Sequence, residues 1–228
     1  MKTIAKAILI GIFVFTYTGC SVKTNELTIK ESLTLKNKSI VLSKHDELPN
    51  FAATTTGNAQ FGLTGALTAI YYGNKLIENN HIKDPAISIS DKLAQDLKKD
   101  HNIKIIKSTE VVDLDSDAQE LANIYKDYDF VLDVTTIGWS SMYFASDWNN
   151  YQVNYSAHAK LIDVKSKEIV AEEVCQHYPF YEDTNNAPTY EELENGIGLR
   201  ATLKKSIEYC VKHIQSMAKL HIDKEQIN

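Results

Sequence analysis

The chain is poor in the residues that mark several protein classes. Of its 228 residues only 3 are cysteine, 4 proline and 9 glycine, which excludes a disulfide-dense scaffold, a collagen-like repeat and a low-complexity linker. No dense cluster of lysines and arginines occurs and the formal net charge is −6, so nucleic acid is not an expected partner. Hydrophobic residues make up 43% of the chain, enough for a globular domain with a substantial core.

Motifs of the common catalytic and metal sites are absent too. The histidines stand outside any HExxH or CxxC-type array, and no GxSxG sequence occurs. The stretch Gly57–Thr64 is similar to a phosphate-binding loop, but Leu63 stands where that loop needs lysine. Asp113, Asp115 and Asp117 alternate without the glycine and glutamate of a calcium loop. The sequence therefore predicts a protein that is not an enzyme and needs no metal or cofactor.

The amino terminus is built of successive regions with different composition. Residues 1–6 carry two lysines and no acid, residues 7–15 are apolar or glycine, and the sequence Thr18-Gly19-Cys20 follows shortly after. The apolar region is shorter than the roughly 20 residues that span a membrane, and its length is typical of a signal peptide. The sequence therefore predicts a signal peptide over residues 1–19.

The segment around Cys20 resembles the lipobox of bacterial lipoproteins, in which a small residue and then glycine or alanine precede the lipidated cysteine. Thr18, Gly19 and Cys20 match this pattern, whereas Tyr17 departs from the usual leucine. The resemblance implies cleavage before Cys20 and a covalent N-acyl diacylglycerol anchor, with palmitate-type chains, on that residue. Because Ser21 rather than aspartate follows, the resemblance also implies retention at the outer membrane, facing the periplasm. Two or three acyl chains anchor a protein stably, whereas one chain does not.

The rest of the chain divides into a tether, a domain and a tail. Residues 20–38 are polar and predict a lipidated tether, residues 39–222 predict a single α/β periplasmic domain, and residues 223–228 form a polar tail. Removal of residues 1–19 takes away Lys2 and Lys6, so 22 basic residues then face 30 acidic ones and the formal charge becomes −8. Such a charge does not favour a second, electrostatic anchor on anionic lipid.

Cys175 and Cys210 remain once Cys20 carries lipid. In an oxidising periplasm this remaining pair predicts a disulfide. The alternative is that both cysteines are buried free thiols. The bond would join a late strand to the last helix.

The order of predicted elements indicates the fold class. The elements are a strand at 38–45, a helix at 63–72, a helix that begins at Asp84-Pro85, a strand at 102–108, a helix with a Ser116/Gln119 capping box, strands at 129–139, 151–163 and 169–178, and a helix from Tyr190 to about His221. This order predicts an α/β domain with a single sheet of about five strands, a C-terminal antiparallel hairpin, helices packed on the sheet and a long C-terminal helix. With the lipid anchor, the order is similar to that of the TolB amino-terminal domain, of the curli-secretion lipoprotein and of the lipoproteins that activate peptidoglycan synthases.

Two aromatic clusters follow predicted strands. Trp139, Tyr143, Phe144 and Trp148 form one cluster, and Phe180 and Tyr181 belong to the second. If the strands pair in sequence, residues 139–150 and 178–189 lie at the same end of the sheet. Exposed aromatic side chains rimmed by polar residues mark interaction surfaces, so these six residues are the predicted partner-binding candidates. The alternative is that the rings cap the core.

Together these features predict an outer-membrane-anchored periplasmic lipoprotein that acts as a non-enzymatic binding or assembly module, with an envelope protein or glycan as partner. The alternative is an oligomeric subunit of an envelope export or pore complex. In that case the segment from Pro49 to Asn74, which has no charged residue, would insert or oligomerise rather than pack internally.

Overall fold

The computed structural model describes residues 24–220, which form a mixed α/β fold with one open sheet of six strands. The strands are β1 Ser39–Leu42, β2 Phe51–Thr54, β3 Lys104–Lys107, β4 Phe130–Phe144, β5 Asp147–Asp163 and β6 Glu168–His177. The helices are α1 Ile29–Thr34, α2 Thr56–Ala59, α3 Gly62–Asn79, α4 Pro85–His101, α5 Ala118–Ile124, α6 Tyr190–Glu194 and α7 Ile197–Met217. The predicted class, with its C-terminal antiparallel hairpin and long C-terminal helix, is confirmed.

Strand β4 organises the sheet. The strand order is β3-β1-β4-β5-β6, and β2 also pairs with β4, farther along the edge that β1 uses. Strands β1 and β2 are parallel to β4, whereas β5 and β6 continue the sheet antiparallel. We call the end where Ile40 pairs with Phe130 the base, and the end with the turn at Ala145-Ser146 the tip. Because β2 pairs with residues 139–142, it lies towards the tip.

Apolar clusters cover both faces of the sheet. The larger one joins Ile40 and Leu132 to side chains of α3, α4 and α7, and the smaller one joins Val41 and Val131 to α5. Adjacent residues of one strand enter different clusters because strand side chains point alternately to opposite faces. Strand β4 is accordingly buried without interruption from Phe130 to Thr136.

Capping residues set the helix boundaries. Helix α4 begins as predicted, since the Asp84 side chain accepts a hydrogen bond from the Ala86 N–H at 2.9 Å and Pro85 occupies the first helical position. For α5 the predicted capping box was wrong by one position. Asp117, not Ser116, accepts from the backbone, and the Glu120 side chain accepts in return from the Asp117 N–H.

The predicted single C-terminal helix is two helices, α6 and α7. They are separated at Gly196, whose φ of 73° lies in the left-handed region that favours glycine. A Cβ at Gly196 would also meet the Asn80 side chain at 2.5 Å. Backbone conformation and close approach therefore both require glycine at this break.

Cys175 of β6 and Cys210 of α7 form a disulfide with an S–S distance of 2.06 Å and a Cα–Cα distance of 5.4 Å. This is the pair that the sequence predicts, and both residues are fully buried. The bond ties the edge of the sheet to the longest helix.

The segment before β1 is folded, which corrects the prediction of a tether as far as Lys38. Asn25 exchanges two backbone hydrogen bonds with Glu172 of β6, at 2.8 and 2.9 Å. Leu27 and Leu35 are buried on either side of α1. The chain packs here because the edge strand has free backbone groups and the two leucines bury apolar surface. Cys20, the predicted signal peptide and the predicted tail lie outside the described residues. Between residues 24 and 220, no helix combines the length and apolarity needed to cross a membrane.

Candidate functional site

The two aromatic segments meet at the tip, as the sequence predicts. Instead of forming a loop, residues 139–150 continue β4 and β5 as a long hairpin. The segment after β6 is held against this hairpin by side chains. Thr184 donates to Asp147 at 2.8 Å, and the Asn150 side chain donates to the carbonyl groups of Thr184 and Ala187 at 2.8 and 2.9 Å.

Trp139 is part of the core, which corrects its assignment to a partner-binding surface. Its indole N–H donates to the Pro49 carbonyl at 2.8 Å, and its ring meets Phe51 edge-on with centroids 5.4 Å apart. The burial follows from β2, which lies beside β4 at this level and brings Phe51 against the ring. A buried ring cannot contact a partner on the surface.

The other five aromatic candidates differ in exposure. Tyr143 is half-buried and packs against the larger core cluster. Phe144 and Tyr181 are also half-buried and contact each other edge-on, with centroids 6.0 Å apart. Trp148 and Phe180 are 68% and 86% exposed. Trp148 and Phe180 are therefore the two of the six candidates whose side chains are mostly exposed to solvent.

Helix α3 packs through its small residues. Gly65, Ala69 and Gly73 are buried. A Cβ at Gly73 would meet the Phe51 carbonyl oxygen at 2.1 Å, and a Cβ at Gly65 would meet that of Asn58 at 1.9 Å. The helix backbone thus lies directly on β2 and α2, an approach that only glycine permits.

The opposite side of α3 exposes large apolar residues. Leu63, Leu67 and Tyr71 follow one another at intervals of four on this side, and Phe61 precedes them. Leu63 is 79% exposed, and no charge occurs from Pro49 to Asn74. We call Phe61, Leu63, Leu67 and Tyr71 the α3 apolar face. The spacing of its residues is visible in the sequence, but which side of the helix faces solvent is decided by the close contact of the two glycines.

A crevice of about 430 Å³ opens where β1 and β3 end and α4 begins. Carboxyl ends of parallel strands are the usual place for ligand crevices in such sheets. Its apolar lining includes Leu42, Ile82, Ala86 and Val134. The sequence does not predict this crevice, because its walls come from segments far apart in the chain.

His45 of the crevice wall forms a buried ion pair with Asp133. Asp133 accepts from Ser43 Oγ at 2.6 Å, from His45 Nε2 at 2.7 Å and from Lys160 Nζ at 3.2 Å. Nδ1 of His45 faces the Val112 carbonyl at 3.1 Å, so both ring nitrogens face acceptors, which fits the imidazolium form. Burial opposes both charges, but the hydrogen bond and charge of Asp133 raise the pKa of His45. Contacts with His45 and Lys160 in turn lower the pKa of Asp133.

Other charged groups of the crevice also have partners within the protein. Burial raises the pKa of Asp84, although its carboxylate accepts from Thr136 Oγ1 at 2.5 Å and from the Ala86 N–H. The exposed pairs are Lys44 with Asp46, at 3.2 Å, and Lys107 with Asp91, at 2.7 Å. Across residues 24–220, no three histidine, cysteine or acidic side chains are grouped to hold a metal ion.

No family model and no curated protein matches the chain. Among solved structures, a PelC dodecamer from Paraburkholderia phytofirmans is similar at 14% identity and a TM-score of 0.42, over 89% of this chain and 99% of that chain. Lipoprotein GNA1162 from Neisseria meningitidis is similar at 18% identity and a TM-score of 0.29, over 74% and 96% of the two chains. A putative neuraminyllactose-binding hemagglutinin homolog from Helicobacter pylori follows at 11% identity and a TM-score of 0.29, over 82% and 90%. All three similarities are remote.

Proposed function

We propose that this chain is a lipid-anchored protein of the bacterial outer membrane that acts as a non-enzymatic assembly module, and that its copies associate through the α3 apolar face. The lipobox-like sequence at Cys20 supports the anchor. The observation that carries the assembly role is the orientation of α3, which packs through glycines and exposes its large apolar side chains. Contiguous exposed apolar surface of this kind is typical of a protein contact.

Charge favours a second copy as the occupant of this face. Without residues 1–19, the chain has 22 basic and 30 acidic residues, so two copies repel each other over much of their surfaces. The segment from Pro49 to Asn74 carries no charge, and although Lys75 Nζ lies 4.8 Å from the centroid of the Tyr71 ring, two copies approach there with less of that repulsion. In a two-fold contact the face of one copy would pack against the same face of the other, so each residue of the face would occur twice in the interface.

Substitution of Leu67 by lysine tests the assembly role. Leu67 is 62% exposed and Ile197, at the start of α7, is 60% exposed, so Ile197→Lys is a matched control with the same charge change. The full-length lipidated protein is extracted in mild detergent and its mass is measured by analytical ultracentrifugation. We expect oligomers for the wild type and Ile197→Lys, and monomers for Leu67→Lys, because a lysine at the contact would have to be desolvated. A monomeric wild type, or a Leu67→Lys protein that assembles as the wild type does, contradicts the assembly role.

The anchor is tested separately at Cys20. In cells given a labelled fatty acid, the wild type should carry the label and fractionate with the outer membrane. The Cys20→Ala protein should lose the label. If it remains labelled and membrane-bound, the anchor is not at Cys20. If the labelled wild type fractionates with the inner membrane, the outer-membrane assignment is wrong.

A second candidate role is capture of a different envelope protein or glycan at the tip. Trp148 and Phe180 favour it, because both are large and exposed, Trp148 on the hairpin and Phe180 on the segment that the Gln152 side chain binds through the Pro179 carbonyl. A photo-crosslinking residue in place of Trp148 should then capture that partner in intact cells. If Trp148 captures nothing while a crosslinker at Leu67 captures a second copy, the contact lies at α3 rather than at the tip.

A further inference from the structure

Helix α1 exposes two apolar side chains, nine and thirteen residues after the predicted lipid anchor. Ile29 and Leu33 are 64% and 62% exposed, and at a spacing of four they lie on the same side of the helix. Two leucines that flank this pair in the sequence, Leu27 and Leu35, are buried instead.

The position of α1 on the domain is fixed at both ends. Before the helix, the Leu27 N–H donates to the Ala218 carbonyl at 2.9 Å, and Asn25 pairs with Glu172 of β6. After it, the Asn37 N–H donates to the His101 carbonyl at 3.0 Å. Ile29 and Leu33 are thus held outwards by a folded segment and are not free to turn into the core.

The chain between the predicted anchor and this segment is short. Four residues lead from Cys20 to Thr24, and at 3.3–3.6 Å per residue they reach at most about 14 Å. If Cys20 is lipidated, as the proposed function holds, Asn25 and the start of α1 stay close to the bilayer surface. An apolar pair at that distance meets lipid at a high effective concentration.

The charges beside α1 suit the interfacial layer of a membrane. Lys30 and Lys36 are exposed on and just after the helix. Of the nearby acids, Glu26 pairs with Lys219, and the carboxylate of Glu31, on α1 itself, accepts from the Thr28 N–H in the capping box. Apolar residues with lysines beside them are typical of helices that lie in the membrane interface. The acidic balance of the whole domain does not oppose this contact on a zwitterionic bilayer.

We infer that α1 docks on the bilayer that holds Cys20, with Ile29 and Leu33 inserted between the lipid headgroups. Because α1 leads into β1 at the base of the sheet, this contact turns the base towards the membrane. Strand β4 runs from the base to the tip over 15 residues, about 46 Å at 3.3 Å per residue. The tip, and the start of α3 beside it, then stand away from the lipid and remain accessible to protein partners.

Site-directed fluorescence tests this orientation in the full lipidated chain. With Cys20 acylated and Cys175 bonded to Cys210, a cysteine introduced as Ile29→Cys or as Trp148→Cys can be labelled selectively with an environment-sensitive fluorophore. Each protein is reconstituted into phosphatidylethanolamine and phosphatidylcholine vesicles that contain a doxyl-lipid quencher. We expect a blue-shifted, strongly quenched signal at position 29 and an unquenched signal at position 148.

The possible results separate the docking from the anchor. An acylated protein whose label at position 29 is as solvent-exposed as that at position 148 overturns the docking and leaves the anchor intact. A protein without an acyl group at Cys20 by mass spectrometry overturns both. Quenching at position 29 should also fall when Leu33→Asp is added. If it does not fall, the inserted pair of Ile29 and Leu33 does not hold α1 on the bilayer and the docking is overturned. If a blue shift at position 29 appears without quencher contact and depends on protein concentration, α1 contacts a second copy and not lipid.

Discussion

Removal of the Cys175–Cys210 disulfide should remove a large part of the stability of the domain. The cysteines are 35 residues apart, and for a loop of that length the chain-entropy relation gives about 12.7 cal/mol/K, or about 3.8 kcal/mol at 25 °C. Both side chains are fully buried between β6 and α7, so replacement by alanine also removes packing contacts of the sulfur atoms. We expect the Cys175→Ala/Cys210→Ala protein to lose about 4 kcal/mol of unfolding free energy.

Urea unfolding measured by far-ultraviolet circular dichroism gives this difference. The oxidised wild type, the wild type in excess reductant and the double variant are compared at one protein concentration. The dependence of the unfolding free energy on urea should become steeper without the bond, because the denatured chain expands. Reductant should lower the stability of the wild type and leave the double variant unchanged.

Two results would refute this reasoning. A loss of less than about 1 kcal/mol in the double variant would mean that the bond does not constrain the denatured chain as the entropy relation requires. Two alkylatable thiols in the unreduced protein, found by mass spectrometry, would mean that the bond does not form at all.

Two further predictions concern packing and charge. Gly73→Ala places a Cβ 2.1 Å from the Phe51 carbonyl oxygen, so α3 must move off β2. Thermal unfolding should show that this variant loses about 1–3 kcal/mol of unfolding free energy. The control Gly57→Ala, whose Cβ would meet nothing closer than 3.6 Å, should lose much less. Asp129 accepts from the backbone and side chain of Ser39 and from Lys38, contacts that outweigh burial and lower its pKa from 3.8 to about 2. The stabilising effect of its carboxylate is present above about pH 4 and is lost as the pH falls towards 2, so the stability difference between wild type and Asp129→Asn should shrink over that range. Because the Asp129 side chain is 37% exposed, this difference is small at neutral pH. A difference that grows on acidification would contradict the assignment.

Local patterns in the sequence identified the elements whose structure depends on near neighbours. The alternation from Tyr151 to Leu161 predicted β5, and Asp84-Pro85 predicted the start of α4, because a strand face and a helix cap are both set within a few residues. The disulfide was predicted from the number of cysteines and the expected compartment. None of these inferences needed a distant contact.

The features that the sequence did not reveal depend on distant segments. Strand β2 has four residues and pairs with part of β4 almost ninety positions away, as in Phe51 with Trp139, and this pairing is what buries the ring of Trp139. The outward orientation of the α3 apolar face depends on the contact of Gly73 with that same strand. The crevice likewise brings together the ends of β1 and β3 and the start of α4. Short strands with remote partners have too little local signal to be predicted from one sequence.

The pairing of Asn25 with Glu172 limits the ways in which copies of this protein can join. Strand β6 is one border of the sheet, and part of its backbone is occupied by the segment before α1. At the other border, β3 has only four residues and exposes a lysine at each end, Lys104 and Lys107. Short, charged or covered borders resist the strand-by-strand joining that leads to fibrils. These two features oppose growth of the sheet from one molecule to the next at the β3 border and at Glu172 of β6, which favours ordered assembly through side chains presented by helices or by the hairpin.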